Sequence, residues 1–153
     1  MFIEGKMIHL QIDCDPVPWS AATKGKHGFY DKKSKEKEFA RWQLKSQYRD
    51  VPIPGYVSIE FIFNIPIPKS ASKALRREML NHRVLPTTPD TTNMQKLYED
   101  CLQGIVIDND RLCNKITSIR YYSEKPGVLI TVRSWNEELN RGHEIPQHQW
   151  VKV

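Results

Sequence analysis

The chain contains no apolar run that approaches a membrane span. Its longest, such as Phe61-Ile62-Phe63, fall far short of the ~20 residues needed. The start, Met1-Phe2-Ile3-Glu4-Gly5-Lys6, holds no apolar signal core, so no secretory peptide is expected. Cysteine is scarce as well. Cys14, Cys101 and Cys113 make an odd count without C-x-x-C spacing, which argues against a disulfide framework or zinc knuckle and predicts a cytoplasmic protein. His9, His27, His82, His143 and His148 lack the mutual spacing of a metal site and read as structural. No internal repeat is visible. What is present is 39% hydrophobic and 27% charged over 153 residues, enough for one domain with a real core and too apolar for a disordered chain.

The net charge of +5 is unevenly placed. Thr23 to Arg49 carries nine basic and three acidic residues, and Lys69 to Arg83 five basic and one acidic. Between Asp90 and Asp110 the sign reverses, five acids facing only Lys96. Basic side chains track phosphates and clustered carboxylates hold divalent ions, so this placement suits a metal-dependent enzyme acting on a polyanion. A solvated basic face with unrelated surface acids is the plain alternative.

Hydropathy periodicity predicts an α+β domain, a mixed β-sheet packed by helices, over residues 1–135, with a polar tail or arm over 136–153. Met7 to Asp13 reads as a first strand, and Lys24-Gly25-Lys26-His27-Gly28 as a mobile loop. Ser34 to Arg49 reads as a helix capped by Ser34, its apolar residues split between a Phe39/Trp42 side and a Leu44/Tyr48 side. Val57 to Ile65 alternates with period two and is the clearest strand. Lys73 to His82 and Thr91 to Gln103 are predicted helices, the latter stopped by Gly104. Ile105-Val106-Ile107 reads as a short strand, and Ile116 to Tyr122 with Val128 to Arg133 as a hairpin-like pair.

The chemistry concentrates between Pro89 and Asp110. At 100° per residue Met94, Leu97, Tyr98, Cys101 and Leu102 share one helix face, while Asn93, Lys96 and Asp100 share the opposite one, with Asp90 at the entrance. Asp110 joins them if the Ile105–Ile107 segment returns alongside. Carboxylates so placed suit Mg²⁺, which takes one or two protein carboxylates and completes its shell with water and substrate phosphate. A nearby lysine can bind the scissile phosphate or protonate the leaving group. Each piece also has an ordinary reading. Asp90 fits a helix N-cap, Asn93 and Lys96 an exposed helix face, and Asp108-Asn109-Asp110 a turn without the glycine and terminal glutamate of an EF-hand.

The series Pro89-Asp90-x-x-Asn93-x-x-Lys96, Asp100, Gly104-Ile105-Val106 and Asn109-Asp110-Arg111 resembles the core of the RusA-type Holliday junction resolvases. Asp15-Pro16-Val17-Pro18-Trp19, Phe29-Tyr30-Asp31 and Pro66-Ile67-Pro68-Lys69-Ser70 resemble the phage and prophage members of that family. The likeness runs over residues 7–133. It implies a small homodimeric endodeoxyribonuclease that binds four-way DNA junctions and nicks opposing strands with Mg²⁺ or Mn²⁺. By position, Asp90, Lys96 and Asp110 match catalytic residues, with Asp90 and Asp110 as metal ligands. Asn93 and Asp100 match recurrent motif positions.

Two departures stand out. Thr92 occupies the place of the family's second aspartate and Asn109 that of the first acid of the downstream pair. Asp100 or Asp108 is then the candidate to supply the missing charge. Junction arms would lie on Lys32, Lys33, Lys35, Lys37, Arg41, Lys45, Lys69, Lys73, Arg76 and Arg77. The departures leave open a junction-binding protein with little catalysis. An RNA-binding or protein-interaction domain is a third reading.

Overall fold

A computed structural model describes residues 7–135; the expected arm over 136–153 lies outside the described residues. In chain order the elements are β1 (Met7–Ile12), β2 (Thr23–Gly25), β3 (Gly28–Tyr30), α1 (Ser34–Gln47), β4 (Val57–Pro66), α2 (Lys73–Leu80), α3 (Thr91–Leu102), β5 (Cys113–Ser123) and β6 (Gly127–Ser134). The main sheet has the order β1-β6-β4-β5. β6 runs antiparallel to both β1 and β4, and β5 runs parallel to β4. The fold is therefore α+β with a mixed sheet, as expected from the sequence. Among the described residues no helix is long and apolar enough to cross a membrane.

β4 sits inside the sheet because its alternation supplies a fully apolar face. Val57, Ile59, Phe61, Phe63 and Ile65 are buried, while Ser58, Ile62 and Asn64 on the other face are partly exposed and Glu60 is exposed. The Phe61 and Phe63 rings stack at 5.5 Å, and Tyr98 of α3 packs on Phe63 at 5.9 Å. Leu44 and Tyr48, at the end of α1, and Met94, Leu97, Tyr98, Cys101 and Leu102 of α3 complete the core over that face. This settles the divided stripe of α1: its Leu44/Tyr48 side faces inward, leaving Phe39 and Trp42 exposed.

α1 also protects the free edge of β1. The Gln43 carboxamide accepts from the Asp13 N–H at 2.8 Å and donates to the Asp13 carbonyl at 3.2 Å. Gln47 does the same for Gln11, at 2.9 and 2.6 Å. Two glutamines one turn apart thus satisfy the backbone groups of Gln11 and Asp13, which the end of an edge strand otherwise offers to another chain.

Four sequence expectations change. The predicted mobile loop at residues 24–28 is a two-stranded hairpin, β2 with β3, turning through Lys26-His27 and entering β3 at Gly28 with φ 115°. Ser34 does not cap α1. Lys33 holds the cap position without a side-chain cap bond, and Asp31 ahead of it steadies the helix start by accepting the Lys33 N–H at 2.8 Å and pairing with the Lys37 ammonium at 2.8 Å. Ile105–Ile107 is not a strand: the N–H groups of Ile105, Val106 and Ile107 turn back onto the Leu102 carbonyl at 3.1, 2.9 and 3.3 Å. Gly104, with φ 80°, starts that turn, and its three apolar side chains fill the core. Finally, β5 and β6 do not form a hairpin, because β4 lies between them. Glu124-Lys125-Pro126 arches over the end of β4, where Ser123 pairs Pro66 and Gly127 faces Asn64. Two strand spacings are about 10 Å, within the reach of a four-residue step at ~3.3 Å per residue.

Candidate functional site

α3 holds the site because its inner face is committed to the core. Asp90 opens it: the Asp90 Oδ1 accepts the Asn93 N–H at 3.2 Å, and Asp90 is exposed. An aspartate here both caps the helix and adds negative charge at the positive end of its dipole. Just before it, the Arg120 guanidinium of β5 donates to the Pro89 carbonyl at 2.7 Å, which fixes the entry to the helix against the sheet. Thr92, Asn93 and Lys96 are exposed.

The segment after β1 is laid along the same helix. The Val17 N–H donates to the Tyr98 hydroxyl at 3.1 Å, and the Trp19 N–H donates to the Asn93 carbonyl at 2.9 Å. The Lys96 ammonium then rests over the Trp19 indole, 3.5 Å from the ring centroid. Among the described residues Lys96 forms no ion pair with a carboxylate.

The flank of α3 turned toward β5 carries Gln95 and Glu99, one turn apart. The Ser118 hydroxyl donates to Gln95 Oε1 at 2.7 Å. Glu99 is half-buried, and burial pushes its carboxyl above the ordinary glutamate range. The Asp110 charge adds to that push, the Cys113 thiol works against it, and Asp100 contributes a further small rise. Asp110 opens a short 3-10 turn, Asp110–Leu112, capped by the Asn109 side chain, which accepts the Arg111 N–H at 2.9 Å. In the sequence Glu99 does not stand apart from the other acids between Asp90 and Asp110. Its position seven residues after Thr92 and four after Gln95 was the available signal, but only the docking of β5 makes that stripe face Asp110.

A pH dependence follows from Glu99. Its carboxyl is raised in the fold, so the protonated form is favoured there more than in the unfolded chain. The stability it contributes is full below the ordinary glutamate range and lost as pH rises through the folded value. In chelator-containing buffer, Glu99→Gln is expected to raise the melting midpoint near pH 7 by ~1–2 °C, and the gain should vanish near pH 4. Calorimetry at both pH values measures it; an equal gain at both would rule out ionisation as its source.

Asp100 stands ten residues after Asp90, about 15 Å along the axis at 1.5 Å per residue, so these two carboxylates do not share one ion. Its carbonyl instead accepts from Arg41 of α1 at 3.3 Å, and the same nitrogen donates to the Cys101 and Gln103 carbonyls at 3.2 and 3.1 Å. Arg41 therefore closes the C-terminal end of α3. Of the other basic candidates, Lys37 pairs with Asp31 and Arg76 lies 3.7 Å from Glu124. Lys32, Lys35, Lys45, Lys69, Lys73 and Arg77 are exposed, and Lys33 partly so. Burial drives the thiols of Cys101 and Cys113 up to about 12, Glu99 and Asp110 adding to the rise at Cys113 while Arg41 and Lys37 oppose it at Cys101, which leaves neither as a nucleophile. His9 bonds the Thr131 hydroxyl at 3.0 Å and His82 packs on Tyr121 at 4.1 Å, both structural uses. Among the described residues no three His, Cys, Asp or Glu side chains converge as a metal-holding group. The oxygen donors present, Asp90, Asp108 and Asp110, are exposed and of the hard type that Mg²⁺ accepts one or two at a time.

A family model described as "Endodeoxyribonuclease RusA" matches residues 17–133. The chain is also 31% identical over 94 residues to the "Uncharacterized protein YqaN" of Bacillus subtilis (strain 168), a match spanning 59% of this chain and 66% of that protein. The shared stretch is thus just under two thirds of the relative's length.

Proposed function

Since this chain belongs to the RusA endodeoxyribonuclease family, we propose that it is a divalent-metal-dependent endodeoxyribonuclease that binds four-way DNA junctions as a homodimer and nicks opposing strands. The observation that carries this reading is the solvent face of α3. There Asp90 and a lysine ammonium, without a carboxylate partner among the described residues, stand six residues apart. Asp90, at the entrance of α3, and Asp110, in the turn beside Glu99, would each offer a carboxylate to Mg²⁺ or Mn²⁺, with Asp108 two residues before Asp110. When bound, such an ion activates water and offsets the negative charge that builds on the phosphate. Lys96 supplies a point charge to a non-bridging phosphate oxygen and so holds the scissile group in line. Thr92 offers a hydroxyl at the position of the family's second aspartate. Lys32, Lys35, Lys45, Lys69, Lys73 and Arg77 hold the junction arms through their phosphates. A two-fold dimer would set two sites on opposite strands of a near-symmetric junction.

The test is a synthetic four-way junction incubated with the protein and Mg²⁺, Mn²⁺ or EDTA. Paired nicks with either metal and none with EDTA are expected. Tight junction binding without nicks under any metal would overturn the nuclease reading. That outcome would favour the second reading, a junction-binding module with little catalysis, which Thr92 and Asn109 motivate because each puts an uncharged side chain where the family carries an acid. Its mark is an affinity that falls steeply with salt and ignores chelation.

A further inference from the structure

The Lys96 ammonium is held in an unusual way for a cation in the acidic stretch of the chain. Five acids lie between Asp90 and Asp110, yet the cation rests on an indole, 3.5 Å from its centroid. The position of the ring is set by the backbone that carries it. The Trp19 backbone N–H is bonded to the Asn93 carbonyl at 2.9 Å, one turn before Lys96 on the same helix. Two residues earlier, the Val17 N–H is bonded to the buried Tyr98 hydroxyl at 3.1 Å. Trp19 itself is partly buried and packs against the core. Backbone and side chain thus fix the indole relative to α3, and the indole fixes the end of a four-carbon side chain that is otherwise free to rotate.

The choice of partner matters for what the cation can do next. A carboxylate would neutralise the ammonium, and a phosphate would have to displace it. The π face attracts a cation through its quadrupole and carries no net charge, so the full positive charge stays available to an anion. We propose that Trp19 is the positioning residue of Lys96: it holds the ammonium in one place, unneutralised, until a DNA phosphate takes it. This rests on the nuclease reading for its consequence, but the stacking itself can be measured without activity.

Three variants separate the electrostatic role from simple packing. Trp19→Leu keeps an apolar side chain against the core and removes the π face, Trp19→Phe keeps a weaker one, and Trp19→Ala removes both. In single-turnover nicking at saturating junction, Leu and Ala are expected to fall about tenfold, a loss of about 1.4 kcal/mol in the barrier term, with Phe within about threefold of wild type. Junction affinity should change less than about twofold, since one phosphate contact among many is affected. A Leu variant that folds and nicks at the wild-type rate would overturn the proposal. The second readout needs no turnover. In wild type the Lys96 ε-methylene protons, assigned by their loss in Lys96→Met, are expected upfield from the indole ring current. They should return to the ordinary lysine position in Trp19→Leu and move toward it when junction DNA is added. Lys96 ε-protons at the ordinary position in wild type would also overturn it. If wild type shows the upfield shift but never nicks, the nuclease reading falls alone, and the positioning claim stands or falls on whether junction DNA moves those resonances.

Discussion

Asp90→Asn is expected to reduce metal-supported junction nicking by roughly 100-fold or more while leaving the domain folded. The substitution is informative because Asp90 has two jobs that this change separates. Its Oδ1 caps α3 through the Asn93 N–H, and asparagine is as good an N-cap as aspartate. What disappears is the negative charge, for a metal ion and for the helix dipole. The dipole share is about 0.3–1 kcal/mol, so the melting midpoint should fall by only a few degrees. Asp90→Ala removes cap and charge together and adds about 1 kcal/mol of instability, which makes it the poorer experiment. Nicking by Asp90→Asn at the wild-type rate, with the same metal requirement, would take Asp90 out of the site and leave it a helix cap.

Lys96→Met should bring a loss of similar size, roughly 100-fold in nicking rate, for a different reason. Methionine keeps an unbranched chain that can still lie on the Trp19 ring, so packing at the contact is largely retained. Only the charge is gone. If Lys96 meets a phosphate, the slope of log affinity against log salt should become shallower by about one unit, measured by junction binding across a salt series in EDTA. An unchanged slope together with an unchanged rate would return Lys96 to an ordinary exposed helix face.

These two variants test residues that stand out in the sequence, and the reason they do is local. α3 is a helix of 3.6-residue period whose apolar positions, Met94, Leu97, Tyr98, Cys101 and Leu102, are all buried. Fixing that face inward necessarily turns Asn93 and Lys96 outward, so the orientation of the candidate site is legible in the residue pattern of one helix. The same holds for β4, where a period of two placed Val57, Ile59, Phe61, Phe63 and Ile65 in the core. Asp90 ahead of the first turn and Gly104 after the last marked the ends of α3, because both the cap and the φ of 80° are properties of single residues.

What the sequence could not settle is which distant segments meet. β5 and β6 carry strand patterns joined by a short turn-like stretch, which reads as a hairpin. Only the more apolar β4, claiming the place between them, turns the connection into an arch. Arg41 counts as one more positive charge in a basic stretch until α1 packs on α3 and its guanidinium closes the helix end. Glu99 is one acid among five until β5 brings Asp110 and Cys113 to it.

By itself, then, the amino-acid sequence determined the periodic elements, their inward faces, the caps of α3 and the motif that places the chain in its family, since each depends on neighbours within a turn or two. The tertiary structure alone decided the strand order, the covered edge of β1 and the partners of Glu99. It also decided that Lys96, 77 residues from Trp19 in the chain, rests on that indole. Such contacts arise from packing between segments far apart in sequence, and no local pattern encodes them.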